Sequence, residues 1–509
     1  MSKPFKSRPD EFNQRLLFPT NIFDLLPSDH ECYLYADILK QLDTSELEKM
    51  YSQLGQRAYH PRLIISILVY AYSQGVFSSR EIEKKCNEDL AFMYIAEINC
   101  PNFRVLSDFR KNNANFFEDC FKQSVLLAME LGLASLGHVS LDGSKFKADT
   151  SKHKAMSFKR LKEKEKELMA EIEILIQKAH KCDEEEDKEY KEERLAKIQA
   201  AKEALIKREE KLNPGKPIDD KKQISFADFE ALIMGKQGSG FDYQYNGQIC
   251  VDEDSQIIIA QFISQNVNDK KEIKPAIEKM QETTGQLPSK MSADNGYMSA
   301  DNLEALKEVD LDTYLAINKG EKKSKVSLDE SNRNLVKADF TYNEQDDCFI
   351  CPDGQTLSLK STSKDGEKTY QGSSETCSVC KYKSRCCKSK KGEARTISAD
   401  DKEPLRQEMR KKMELESSKE IYKQRKVIVE PVFGQIKNTG FRGFSVRGLE
   451  KTSGEFSLVC TVHNIKKIMR AVLKGVIRSE SGRLEQILVS RRKKAWILGE
   501  ISRFESCFV

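Results

Sequence analysis

The chain has 509 residues, too many for a single hydrophobic core, so two to four domains are expected. Charged residues make up 32% and hydrophobic residues 39%, a soluble profile, and the longest apolar run, LIISILVYAY, is too short to span a bilayer. The opening MSKPFKSRPDEF lacks the apolar stretch of a secretory leader, and eight of the fourteen cysteines are scattered singly through apolar patterns, so the expectation is a cytoplasmic protein with reduced thiols.

Residues 1–135 read as helical. PRLIISILVYAYSQG and SSREIEKKCNEDLAFMYIA are two helical patterns joined at Gly75, with Ser78 as N-cap and Glu81 as its capping-box partner. The arrangement suits a helix-turn-helix and a generic αα-hairpin equally. Helical period continues through CPNFRVLSDFRKNNANFFEDC, where Arg104, Arg110 and Lys111 are candidates to face DNA.

In HVSLDG, Val139 and Leu141 take one face of a period-2 strand over 138–142, Ser140 and Asp142 take the other, and Gly143 reads as the turn that ends it. KMSADNG repeats the design: Met291 and Ala293 are apolar, Ser292 and Asp294 polar, and Asn295-Gly296 closes the strand. An Asp-Gly alone is an ordinary turn; two aspartates at the carboxyl ends of short strands stand where open α/β sheets place their chemistry. Between them, GFDYQYNGQICV and SQIIIAQFIS flank the turn-like DED and predict an antiparallel pair.

Two charged or cysteine-rich insertions are also legible. Residues 155–224 are rich in Lys and Glu with apolar residues at helical spacing, and predict a helical hairpin packed through Leu161, Leu168, Ile172 and Leu175, with DEEEDKEYKEE as its solvated turn. A coiled-coil contact between two copies is the sharper alternative. Farther on, Cys348-x2-Cys351, Cys377-x2-Cys380 and Cys386-Cys387 offer two thiolate pairs with zinc-ribbon spacing and spares, or a set of reduced packing thiols. The strip DGQTLSLKSTSKDGEKTYQGSSE between them reads as a loop with little core of its own, which a tetrahedral Zn²⁺ would hold together.

Glu430 lies among basic and apolar residues, one helical turn after Lys426 and two before Lys437. A carboxylate among cations stays ionised, and three carboxylates suffice to hold the Mg²⁺ pair of an in-line phosphoryl displacement. From Lys437 to Lys494 fourteen Lys and Arg stand against four Glu, although the formal net charge of the whole chain is only +4. Such a basic segment is either the footprint of a polyanion or a solvated face. His138 and His463 lie on apolar segments and read as structural imidazoles. No nucleophile elbow and no Walker loop is present, so neither Ser-His-Asp hydrolysis nor a nucleotide cofactor is implied.

Tyr422, Arg425, Glu430 and Lys437, with Pro431, Phe433 and Gly434 between, resemble the signature of bacterial insertion-sequence DDE transposases. LDGSKFKADTS resembles the family's first-aspartate segment, SADNGYMS its second and FRGFSVRGLEKTSGEFSLVCTVHNIKKI its tail, near the branch called IS-eleven-eighty-two, a relative of the IS-four group. The family pattern sets its Arg four positions before the Glu, where this chain has Lys426, so Arg425 and Lys426 are both candidates for the phosphate contact.

The resemblance implies an α/β fold: an RNase H-like mixed sheet flanked by helices, with an N-terminal all-α domain, a helical insertion and a Cys-rich insertion. Its implied boundaries are 1–135 for DNA-end binding, 136–317 for the first part of the core, 318–398 for a zinc-ribbon-like insertion, 399–475 for the second part and 476–509 for a basic tail. It implies metal-dependent cleavage at the ends of an insertion sequence and strand transfer into target DNA, with Asp142, Asp294 and Glu430 as catalytic ligands of two Mg²⁺ or Mn²⁺ ions. Tyr422, Arg425, Lys426, Lys437, Arg442, Arg447 and Lys451 would contact DNA, and Cys351, Cys377, Cys380 and Cys386 would bind Zn²⁺, with Cys348 as a replacement. Its partners would be the terminal inverted repeats, target DNA and a second copy of the chain on DNA, in the bacterial cytoplasm at the nucleoid and away from membranes. The alternatives are an RNase H-like nuclease without strand transfer and an inactive DNA-binding regulator.

Overall fold

The computed structural model describes residues 21–51, 58–150, 155–178, 183–236, 240–317, 333–363, 367–389 and 393–474. The expected basic tail at 476–509 lies outside the described residues, as does the side chain of Leu175. The chain divides into two compact units, residues 1–113 with 468–509, and residues 114–467. No helix of the described residues is long and apolar enough to cross a membrane.

The first unit is helical: α1 (Glu31–Leu39), α2 (Ser45–Glu48), α3 (Pro61–Ser73), α4 (Ser79–Glu88), α5 (Leu90–Ile95) and α6 (Phe103–Asn112). Nearly every side chain of α3 is buried, so this helix is the centre around which the others pack. Gly75 takes φ +75°, which lets the chain leave α3 without strain. The second predicted helix is broken at Asp89, whose carboxylate accepts the backbone N–H groups of Ala91 and Phe92 and starts α5. Ser78 holds the N-cap position of α4 but makes no side-chain capping bond, so the expected capping box with Glu81 does not form.

Arg110 corrects a second expectation. It is 4% exposed and donates to the Tyr72 hydroxyl, the Phe77 carbonyl and the Ser79 hydroxyl at 2.8, 2.9 and 3.0 Å. A guanidinium held this way ties α3, α4 and α6 together and is not offered to phosphate. Arg104 and Lys111 remain exposed.

The second unit contains, in chain order, α7 (Ala114–Glu130), β1 (His138–Lys147), β2 (Ala155–Ser157), α8 (Phe158–Lys178), α9 (Asp183–Leu212), β3 (Gln223–Ser225), β4 (Leu232–Lys236), β5 (Gly240–Asp252), β6 (Ile258–Ser264), α10 (Ile273–Thr284), β7 (Lys290–Ala293), α11 (Ala300–Glu308) and β8 (Asp312–Leu315). There follow β9 (Thr341–Asn343), β10 (Cys348–Ile350), β11 (Thr356–Thr362), β12 (Lys368–Gln371), α12 (Ser374–Val379), α13 (Lys383–Cys386) and β13 (Thr396–Ala399). The last helices are α14 (Glu403–Glu414), α15 (Glu416–Ile428), α16 (Glu430–Asn438) and α17 (Leu449–Leu473), of which the residues up to 467 belong to this unit.

A mixed sheet of six strands carries the unit, in the order β4-β5-β1-β7-β8, with β6 also paired to β5. β1 runs antiparallel to β5 and parallel to β7, and β7 is parallel to β8. The predicted hairpin is β5 and β6. Strand β1 runs past the predicted turn to Lys147, because Gly143 is not a turn: a Cβ there would lie 2.3 Å from the Gln248 amide nitrogen, so the missing side chain is room for a neighbour. Beyond Asp142 the strand delivers Phe146 into an aromatic cluster with Phe433, Phe441, Phe444 and Phe456, which seats the segment from α16 to α17 against the sheet.

The charged insertion folds as β2 and β3 with α8 packed on α9 through Leu161, Leu168, Ile198, Ala201 and Leu205. DEEEDKEYKEE is not a turn: α9 already begins at Asp183. The cysteine-rich region also differs from expectation. Its strip of apparent loop supplies β11 and β12 to a five-stranded sheet, β13-β12-β11-β10-β9, and Leu357 and Tyr370 from that strip join Phe349, Tyr382 and Ile397 in a core of its own. Alternate positions are apolar there, but too few to stand out among Ser, Thr and Lys.

Candidate active site

The parallel register of β1 and β7 pairs Ser140 with Ser292 and Leu141 with Ala293, so the next residues are Asp142, within the longer β1, and Asp294, just past the end of β7. Val139, Leu141, Met291 and Ala293 are fully buried on one face. On the other, Ser140 and Ser292 share a 2.8 Å hydrogen bond, and His138 Nε2 lies 2.9 Å from the Ser292 hydroxyl. Period two carries both aspartates to that polar face. Asp294 then caps the 3-10 turn Asn295–Tyr297, its Oδ1 accepting the Gly296 N–H at 2.7 Å.

The third carboxylate comes from a helix junction. α15 and α16 are separate helices that meet at Val429 and Glu430, with Pro431 in the first turn of α16. Proline has no N–H to continue the α15 ladder, so Lys426 and Lys437 sit on different helices and the expected single helix is corrected. Arg425, its side chain 8% exposed, donates from Nη2 to Asp142 Oδ1 at 2.9 Å and from Nη1 to Glu430 Oε1 at 3.2 Å. One guanidinium thus joins carboxylates from β1 and α16.

Burial pushes the Asp142 carboxyl up to about 6 against the pull of Arg425, and the charges of Asp294 and Asp269 add to the rise. Burial likewise raises the Tyr422 phenol, which feels Arg425 and then the charges of Asp294, Glu430 and Asp142; it remains a protonated donor beside all three. Lys437 donates to the Ser144 hydroxyl on β1 and lies over the Phe146 ring at 5.3 Å. Lys426, Arg442, Arg447 and Lys451 are exposed, and Arg447 pairs with Asp149 at 2.8 Å. Arg425 therefore bridges Asp142 and Glu430, and the charge of Asp294 acts on Asp142 and Tyr422, while Arg442 and Arg447 lie in the segment between α16 and α17 and Lys451 in the first turn of α17.

Two family models match the chain, the transposase DDE domain over residues 350–469 and the transposase domain (DUF772) over residues 20–112. These matches indicate a DDE-type insertion-sequence transposase. No curated protein and no solved structure matches it. The DDE match spans Tyr422, Arg425, Glu430, Lys437 and the cysteine-rich sheet from the end of β10 onward, and leaves Asp142, Asp294, Cys348 and β9 outside its bounds.

DDE transposases typically use divalent metals, and the donor chemistry here suits one. Asp142 and Glu430 offer hard carboxylate oxygens of the kind such ions prefer, and here both oxygens are held by the guanidinium of Arg425. Among the described residues no group of three or more His, Cys, Asp or Glu side chains stands close enough to hold an ion as arranged. With its carboxylate turned to Arg425, Glu430 does not complete a set with the two aspartates.

The cysteines fall into subsets. Cys351 influences Cys380, and Cys377 influences Cys386 and hydrogen-bonds with Cys387, while Cys348 feels Asp346 and Asp347 instead. Burial raises the thiols of Cys348, Cys380, Cys386 and Cys387, Cys386 to about 12. His138 and His463 are satisfied by Ser292 and the Gln256 carbonyl. Sequence reasoning missed Asp269, Gln248 and Tyr297. The available signal was the pair of amides Asn246 and Gln248 within the apolar strand β5, both wholly buried.

Proposed function

We propose that this transposase cleaves the ends of its insertion sequence and joins them to target DNA on an RNase H-like core, with Asp142, Asp294 and Glu430 as its catalytic carboxylates. The observation that carries the reading is that Arg425 joins Asp142 of β1 to Glu430 of the α15–α16 junction, with Asp294 at the end of the strand next to β1. Divalent ions, Mg²⁺ or Mn²⁺, held by Asp142 and Asp294 with Glu430 would supply charge neutralisation at the scissile phosphate and an ionised oxygen nucleophile, first from water and then from the freed 3′-hydroxyl.

The chain's own groups orient and neutralise. Arg425 holds Glu430 toward Asp142 when no DNA is bound, which leaves exposed Lys426 as the freer partner for the DNA backbone. The protonated Tyr422 phenol donates to a phosphate oxygen beside the carboxylates, and Lys437 fixes α16 to β1 through Ser144. Arg442, Arg447 and Lys451 extend a basic track for the flanking backbone; such contacts position DNA without reading its sequence.

In this proposal residues 1–135 bind the terminal inverted repeats, and 136–317 with 399–475 form the catalytic core, interrupted by the insertions at 155–224 and 318–398. Cys351, Cys377, Cys380 and Cys386, once drawn together, would hold a structural Zn²⁺, for which four thiolates suit a tetrahedral site. The protein works as a homodimer on DNA in the bacterial cytoplasm. Purified protein, an element-end duplex and a target plasmid test the reading: cleavage and joined products should appear with Mg²⁺ or Mn²⁺ and vanish with chelator. Cleavage without joining would mean an RNase H-like nuclease, and end binding without cleavage would mean a regulator.

A further inference from the structure

Behind the strand that carries Asp142 lies a polar network that the carboxylate chemistry does not use. Gln248 and Asn246 of β5 pair with Gly143 and Lys145 of β1, so their side chains lie on the face opposite to Asp142. Both amides are wholly buried, and both donate to one oxygen, Asp269 Oδ1, at 2.8 Å from Asn246 and 2.7 Å from Gln248. Held this way, Gln248 turns its own Oε1 to the hydroxyl of Tyr297, a fully buried side chain. Tyr297 is the last residue of the 3-10 turn that Asp294 caps. Asn302 fastens the same corner from α11, donating to the Tyr297 carbonyl at 2.8 Å and to the Asp269 carbonyl at 3.3 Å.

We propose that Asp269 is a positioning residue: through the Gln248 amide and the Tyr297 hydroxyl it fixes the turn that presents Asp294 beside Asp142. The inference rests on the function proposed above. Three features support a clamp over direct ligation. Asp269 Oδ1 is filled by two amides, it sits behind β1, and the space that the Gln248 amide occupies against β1 is kept open by Gly143. The buried Lys145 ammonium, which has no hydrogen-bond partner of its own, adds attraction to Asp269 and Glu272 on that rear face. An amide-locked carboxylate orienting a neighbour's support is what outer partners of a ligand set do.

The test compares D269A, D269N and Y297F in the full chain. The first measurement is hydrogen exchange of peptides covering residues 294–298 in protein without metal or DNA. D269A and Y297F remove opposite ends of the clamp, so both should speed exchange in that turn, and the double variant should add little to D269A because the two act as one unit. D269N keeps an oxygen that accepts both amides, so its exchange should stay near that of the wild type.

The second measurement is cleavage against Mg²⁺ concentration. D269A should raise the half-saturating concentration roughly 10- to 100-fold, the usual cost of removing an outer partner, with a much smaller loss at saturating metal. D269N should restore most of it. A general loss of stability would lower the active fraction without moving the half-saturation point. Two results overturn the proposal: unchanged exchange at 294–298 in D269A, or D269N as impaired as D269A, which would mean that the charge itself is needed. Should D294N still cleave, the carboxylate assignment fails, and the exchange measurement still decides the clamp on its own.

Discussion

The carboxylate site and the cysteine-rich sheet are both candidate metal centres, and the chain builds them in opposite ways. Asp142, Asp294 and Glu430 come from three distant segments: the shared register of β1 and β7 sets the two aspartates on neighbouring strands, and the break between α15 and α16 turns Glu430 to the Arg425 that also holds Asp142. The cysteines all fall within one short stretch, on a five-stranded sheet with its own buried Phe349, Leu357 and Tyr370. The first site cannot exist before the large sheet is complete, whereas the second needs only its neighbours in sequence. Removing a ligand should therefore silence the first without unfolding it, and loosen the second without silencing the chemistry.

The largest expected effect is on cleavage. Asp142→Asn, Asp294→Asn and Glu430→Gln should each lower end cleavage by about 10³-fold or more, beyond the roughly 10²–10³ typical of deleting a single electrostatic donor. End binding in gel-shift assays should change little, because affinity comes mainly from the basic surface. A variant that still cleaves at near wild-type rate removes its residue from the set.

Next comes the sheet. Phe349→Ala should destabilise the cysteine-rich region by about 3–5 kcal/mol, since Phe349 is fully buried among aromatic neighbours. Cys377→Ser with Cys380→Ser should lower bound zinc from roughly one per chain, the four-thiolate expectation, and reduce the melting temperature by less than Phe349→Ala does. Absence of zinc from freshly purified, reduced protein by elemental analysis would reduce these cysteines to packing thiols, and the comparison would then be between a metal centre and a small core.

A smaller effect is expected from the basic track. Replacing Arg442, Arg447 and Lys451 by Gln should weaken cognate and unrelated DNA alike, and the slope of log K against log salt should flatten by about 0.9 for each phosphate that is no longer neutralised. Arg447 already pairs with Asp149, so its share should be the least of the three. Loss of preference for cognate ends at constant slope would mean that the segment reads bases.

The same contrast explains what the sequence could reveal. Asp142 and Asp294 are legible because alternation of apolar and polar residues is local, and the strand around each aspartate fixes which face it occupies. The cysteine spacing is legible for the same reason. Contacts made across the fold are not: motif alone places Arg425, and its grip on Asp142 and Glu430 depends on the kink at Pro431. Asp269 sits in the ordinary-looking NVNDKKE, and only the paired amides of β5 give it meaning. Arg110 shows the reverse, a cation that reads as surface charge and is buried by acceptors from two other segments.

The smallest prediction separates the two regions by pH. Asp347 in the cysteine-rich sheet is held down to about 2, first by the Lys368 ammonium at 2.7 Å and the Tyr370 hydroxyl, and also by the Tyr342 hydroxyl at 2.7 Å. Its folded carboxyl lies below the ordinary value, so between the two the unfolded chain binds more protons, and stability rises with pH. The contribution is thus fully present above the unfolded value near 4 and is lost as pH falls through about 2. Asp347→Asn fits the backbone, since φ is +43° and Asn tolerates the left-handed region. Because the carboxylate is 37% exposed, screening keeps the effect at about 1 kcal/mol or less. In chelator, to keep thiolate protonation out of the measurement, the melting-temperature gap between wild type and Asp347→Asn should be constant from pH 7 to 5 and close toward pH 2. A gap that does not change with pH would mean that the hydrogen bonds from Tyr342 and Tyr370 matter here and the charge on Asp347 does not.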